Sequence, residues 1–175
     1  MVLHLEPLRQ FSHGDPERFP GARITCVEKS PKMIAEARSN LRRHGLHAGA
    51  IQFLEVDALE WEPGEQRYDW VVTPFFLDCF RPDQLELLIP KLAATTRQQA
   101  HWLIAEFQEA SSEWRRCRSQ CILALMYAFF RLVTRLPASA LAPPDGHLQR
   151  AGFVLAERRE WEWGLLKSDW WHRAA

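Results

Sequence analysis

The chain of 175 residues has no surplus charge: 22 Lys and Arg stand against 22 Asp and Glu. Nucleic acids and anionic membranes are recognised mainly through an excess of basic groups, so this balance argues against both as partners. A small local cluster, Arg115, Arg116 and Arg118, reads as the solvated start of a helix. Long apolar runs are missing too. The most apolar stretch, residues 122–130, lies between Arg118 and Arg131, well short of the ~20 residues that a membrane-spanning helix needs. The first ten residues, MVLHLEPLRQ, lack the apolar core of a signal peptide. Cysteine is scarce, with four scattered residues and no C-x-x-C pair, which excludes a disulfide framework or a thiolate zinc site. The seven histidines show no metal-ligand spacing. The expectation is a soluble, cytoplasmic protein with reduced thiols and no metal.

What is present belongs to a globular domain. A hydrophobic content of 47% with 25% charged residues is enough to build a core, and the length suits one domain over residues 1–175. Short β-branched runs alternate with helical patterns. Residues 2–5, 24–27, 51–56, 68–73, 101–107, 153–161 and 165–171 read as strands. Residues 31–44, 82–92, 114–136 and 145–151 read as helices, the second of them bent or ended near Pro90. Ser30-Pro31 is a helix start, a capping hydroxyl followed by proline at the first helical position. Strands alternating with helices predict a Rossmann-like, doubly wound α/β fold. Its sheet should have seven strands, mostly parallel, with an antiparallel C-terminal hairpin.

In such a sheet, ligands bind beyond the carboxyl ends of the strands. Two acids fall there: Glu28 after the second strand and Asp57 after the third. A carboxylate at the first position can accept both hydroxyl hydrogens of a ribose, and one at the second can accept from an adenine amine beside Ala58. Each acid alone is equally a helix cap or a solvated loop residue.

Four segments in order carry a resemblance. ITCVEKSPKMIAEAR, IQFLEVDALEW, YDWVVTPFFLDCF and AGFVLAERREWEWGLL resemble the second-strand, third-strand, fourth-strand and terminal-hairpin segments of class I S-adenosylmethionine-dependent methyltransferases. The resemblance implies S-adenosylmethionine as cofactor, with Glu28, Lys29, Asp57, Ala58 and Thr73 as cofactor contacts. It places Asp78, in the loop after the fourth strand, as the candidate base. Phe76 and Phe80, with Met126 and Tyr127 of the 114–136 helix, then border a small, partly apolar methyl acceptor. That helix has more apolar surface than one face needs, so Met126, Tyr127 and Phe130 also suit a dimer seam or simple packing on the sheet. Asp78 reads equally as a cap for the helix at Pro82, and Glu106 as a further contact or a solvated strand end.

One family feature is missing. Members carry a glycine-rich turn after the first strand, where the absence of Cβ lets backbone approach the cofactor. Here Glu6-Pro7-Leu8-Arg9-Gln10 occupies that place, and Gly14 comes too late. The alternatives are a diverged loop or a locally altered sequence. The competing function is a non-catalytic methyltransferase fold serving as a binding or partner module, as a monomer or homodimer.

Overall fold

The computed structural model describes residues 23–44, 51–65, 67–107, 143–161 and 166–174. The expected strand at 2–5, the loop at 6–22 and the helix at 114–136, with Met126, Tyr127 and Phe130, lie outside them. The chain divides into two compact units, residues 1–62 and 63–175.

In the first unit, β1 (Ile24–Glu28) pairs in parallel with β2 (Ile51–Glu55). Thr25, Cys26 and Val27 are buried in succession, as in a strand covered on both faces. Between them runs α1 (Pro31–Arg43), opened by Ser30, whose hydroxyl accepts from the Met33 amide at 3.3 Å. Ile34 and Leu41, seven residues apart on one stripe, are its buried residues. Only one face of this helix is apolar.

The second unit is a four-stranded sheet in the order β3-β4-β6-β5. Here β3 (Tyr68–Pro74) pairs in parallel with β4 (Thr96–Phe107), and β6 (Leu166–Arg173) lies antiparallel between β4 and β5 (Phe153–Trp161). Two helices, α2 (Pro82–Ala94) and α3 (Asp145–Arg150), complete it. Leu85, Leu88, Ile89 and Leu92 of α2, Leu148 of α3, and Trp102, Ile104, Phe153 and Trp171 of the sheet are all at most 1% exposed. The Trp102 and Phe153 rings meet edge-on, with centroids 5.4 Å apart.

The described residues hold six of the seven expected strands, in a two-stranded and a four-stranded sheet, and the seventh, at 2–5, lies outside them. Among the described residues, the hydrogen-bond ladders join β1 only to β2 and β3 only to β4. Two expectations need correction. Pro90 does not end α2, which continues to Ala94; the residue lies on the exposed face, where water can satisfy the carbonyl that a proline leaves unbonded. β4 starts at Thr96, five residues before the predicted start. Tyr68 pairs with Thr96 and Trp70 with His101, so β4 bulges between those pairs, and Gln99 takes a φ of 63° there.

Inside the second unit is an ionic network. Asp169, fully buried, accepts from Arg158 at 2.7 Å and faces the Lys167 ammonium at 3.3 Å. Asp145 at the start of α3 receives the same two cations, at 2.7 and 3.4 Å. Asp169→Ala leaves two cations without their central anion. It is expected to destabilise the protein by about 3–5 kcal/mol, measured as a lower urea midpoint at unchanged m-value.

Candidate functional site

The carboxyl ends of the strands carry the candidate residues in both units. In the first unit, β1 ends at Glu28, and the chain turns at once into α1. The Glu28 carboxylate accepts from the Ser30 amide at 2.7 Å through Oε1, which orients the side chain across the turn. Among the described residues, no hydrogen bond reaches its second oxygen. The Glu28 carbonyl accepts from the Val56 amide at 3.2 Å, so the loop after β2 runs beside it.

That loop presents Asp57. One oxygen accepts from the Leu59 amide at 3.0 Å, and the other from Lys29 Nζ at 2.8 Å. The Lys29 hydrogen bond is the main cause that holds the Asp57 carboxyl below its usual range. The same bond raises the Lys29 ammonium. The side chain of Lys29 is 76% exposed, so the pair is a solvent-screened tie between two strand ends and adds little stability. Ala58 beside it is buried. Glu28, Lys29, Asp57 and Ala58 are thus gathered on neighbouring strand ends of one unit.

In the second unit, the chain leaves β3 through Phe75, at a φ of 48°, into a 3-10 turn, Leu77–Cys79. Thr73 is fully buried, and its hydroxyl accepts from Trp102 Nε1 at 2.9 Å. Its side chain is therefore packed inside the unit and not presented at the strand end. Phe76 and Phe80 are half-buried, with rings edge-on at 4.9 Å.

Asp78 is not the cap of α2. The residue before that helix is Arg81, whose amide donates to Gln84 Oε1 at 3.0 Å, while Asp78 is buried at 9% exposure. Burial pushes its carboxyl up to about 6, although the Cys79 thiol donates to it at 3.6 Å. Burial also raises the Cys79 thiol, to about 12, with the Asp78 charge second. Glu106, near the end of β4, is not solvated either. It is 3% exposed, and its Oε1 has no hydrogen-bond partner. Burial first, and Asp78 second, raise it to about 8.

Sequence reasoning treated Glu106 as a minor alternative. The signal was present in the alternation of HWLIAEF, which places residue 106 on the same face as residues 102 and 104. Among the described residues, no group of His, Cys, Asp and Glu suits a metal ion, and no helix is long and apolar enough to cross a membrane.

The raised carboxyls set a pH dependence. A group that keeps its proton longer when folded binds more protons in the native state, so stability falls as pH rises. For Glu106 the window runs from the usual glutamate range to about 8. Glu106→Gln is expected to flatten the decline in urea midpoint between pH 5 and pH 8, and to be more stable than the parent at pH 8.

Known proteins resemble the chain in sequence and in fold. Residues 15–99 match the family model described as a methyltransferase domain. Trans-aconitate 2-methyltransferases of Escherichia coli and Shigella flexneri are 40% identical over 83 residues, covering 47% of this chain and 29% of theirs. The chain thus covers under a third of the length of these curated relatives. Among solved structures, the N-methyltransferase NodS of Bradyrhizobium japonicum, bound to S-adenosylhomocysteine, superposes with a TM-score of 0.59 at 14% identity, over 87% of this chain and 67% of its own. Magnesium protoporphyrin IX methyltransferase of Synechocystis, also with bound S-adenosylhomocysteine, gives 0.60 at 16%, over 88% and 65%. The S-adenosylmethionine-dependent methyltransferase SibL gives 0.63 at 19%, over 87% and 44%. Residues 15–99 thus resemble a methyltransferase domain, and the chain shares the fold of the S-adenosylmethionine-dependent methyltransferases, in line with the class I resemblance of its sequence.

Proposed function

We propose that the chain is an S-adenosylmethionine-dependent methyltransferase acting on a small, partly apolar molecule. The observation that carries this reading is Glu28, held at the carboxyl end of β1 with one oxygen anchored by Ser30 and the other without a partner among the described residues. A carboxylate so presented fits the paired hydroxyls of a ribose. Asp57, kept ionised by Lys29, suits the adenine amine, and the buried Ala58 offers an apolar wall. Thr73 supports the strand end from inside through Trp102.

When bound, S-adenosylmethionine supplies a methyl group activated by its positive sulfur. The chain's own contribution is positioning and proton handling. Asp78, poised near neutrality by burial, is the group to accept a proton from the methyl acceptor. Phe76 and Phe80 suit the acceptor's apolar part. Met126 and Tyr127, outside the described residues, are proposed as further wall. A monomer or homodimer in the cytoplasm, without nucleic acid or membrane as partner, completes the reading.

Two measurements test it. S-adenosylhomocysteine at 100 times its dissociation constant should stabilise the protein by about 2.7 kcal/mol in a thermal-shift assay. Glu28→Ala should weaken that ligand about tenfold by calorimetry, as expected for losing charge-assisted hydrogen bonds. No shift with S-adenosylhomocysteine would favour the non-catalytic binding module. Unchanged affinity in the Glu28 variant would reject the ribose assignment.

A further inference from the structure

Two buried polar side-chain atoms among the described residues lack a hydrogen-bond partner, and one is a carboxyl oxygen, Oε1 of Glu106. An unmet buried acceptor is costly, and native structures retain few of them. Glu106 lies on the face of β4 that also buries Trp102 and Ile104. Its strand end is tied to the end of β3, where the Phe75 amide donates to the Ala105 carbonyl at 2.6 Å. The turn that follows brings Asp78 and Cys79 close enough for both to interact electrostatically with Glu106. Two carboxyls, one from the turn after β3 and one from β4, therefore share one buried region.

Among the described residues, they have no cation of their own there. Lys167 stands opposite Glu106 across the β4–β6 ladder, yet its ammonium lies 3.4 Å from Asp145 and 3.3 Å from Asp169. Arg158 binds the same two aspartates, each at 2.7 Å. Two cations thus balance two anions, and among the described residues neither Asp78 nor Glu106 enters an ion pair. A neutral hydroxyl would satisfy the open oxygen but leave the mutual repulsion. An anion would worsen that repulsion. A cationic donor meets both demands.

We propose that Asp78 and Glu106 together bind the protonated nitrogen of a small amine. The site rests on the reading of the loop after β3 as the acceptor end of a methyltransferase, and it names the acceptor class as an amine on an apolar body. The ring pair of Phe76 and Phe80, on either side of Asp78 in the chain, suits such a body. The raised ranges of both carboxyls agree with a site that waits for a positive charge.

The probes are 2-phenylethylamine and its uncharged counterpart 2-phenylethanol, with trans-aconitate as the anionic arm, titrated calorimetrically into the whole chain. The amine is expected to bind about tenfold or more tightly than the alcohol, as one charge-assisted contact implies. Glu106→Gln and Asp78→Asn should each weaken the amine about tenfold and leave S-adenosylhomocysteine binding unchanged. Equal affinity for amine and alcohol, an amine unaffected by both substitutions, or preference for trans-aconitate would overturn the proposal.

If a variant does not fold, the parent protein still decides. Its affinity for the amine should rise about tenfold from pH 6 to pH 8, as the pair loses its proton while the amine stays charged. A flat profile would reject the site. Among the described residues, the charged and titratable groups that act on the pair are Cys79 on its turn, Lys167 and Asp169 on β6, and Asp145 on α3. Amine binding without S-adenosylhomocysteine binding would remove the methyltransferase reading and keep this site. The reverse would remove this site alone.

Discussion

The buried aspartate of β6 sets the terms for the second unit. Asp169 is fully enclosed, and a carboxylate there is tolerable only because Arg158 from β5 and Lys167 from its own strand surround it. Asp145 closes the arrangement from α3. The network therefore joins the terminal hairpin to a helix over one face of the sheet, in a register where Arg158 faces Asp169 and Glu106 faces Lys167. Its charge is self-contained. Both cations are committed to the two aspartates, and the neighbouring carboxyls are left to settle their own protonation.

The two units accordingly handle their acids in opposite ways. In the first, Asp57 lies near the surface, paired with an exposed lysine, and is held ionised. In the second, Asp78 and Glu106 are buried beside one another and pushed toward neutrality. The difference follows from desolvation: burial penalises the charged form of an acid, and a nearby positive charge favours it. An ionised acid suits recognition of hydroxyl and amine donors on a nucleoside. A carboxyl pair near neutral pH suits proton exchange with a bound ligand.

Local chemistry made much of the chain legible. Ser30-Pro31 announced α1 because a capping hydroxyl and a preset φ need no tertiary help. The span of β5 was readable from FVLAERREW, and the parallel pairing followed from strands separated by helical patterns. Glu28 and Asp57 could be placed at strand ends because each strand stops where the apolar run stops. Less legible were features that depend on a partner. The bulge in β4 arises from its pairing with β3, and the continuation of α2 through Pro90 depends on which face of that helix meets solvent.

What the sequence alone determined was the order of elements, the family likeness and the acids at the strand ends, since these rest on local propensity and spacing. Only the tertiary structure decided what those acids are. Glu106 looked solvated at a strand terminus until β6 and the turn after β3 covered it, and Asp78 looked like a helix cap until Arg81 took that position. Lys167, opposite Glu106 on β6, is taken up by Asp145 and Asp169. Burial and pairing are properties of residues distant in the chain, and the ionisation of a carboxyl depends on both.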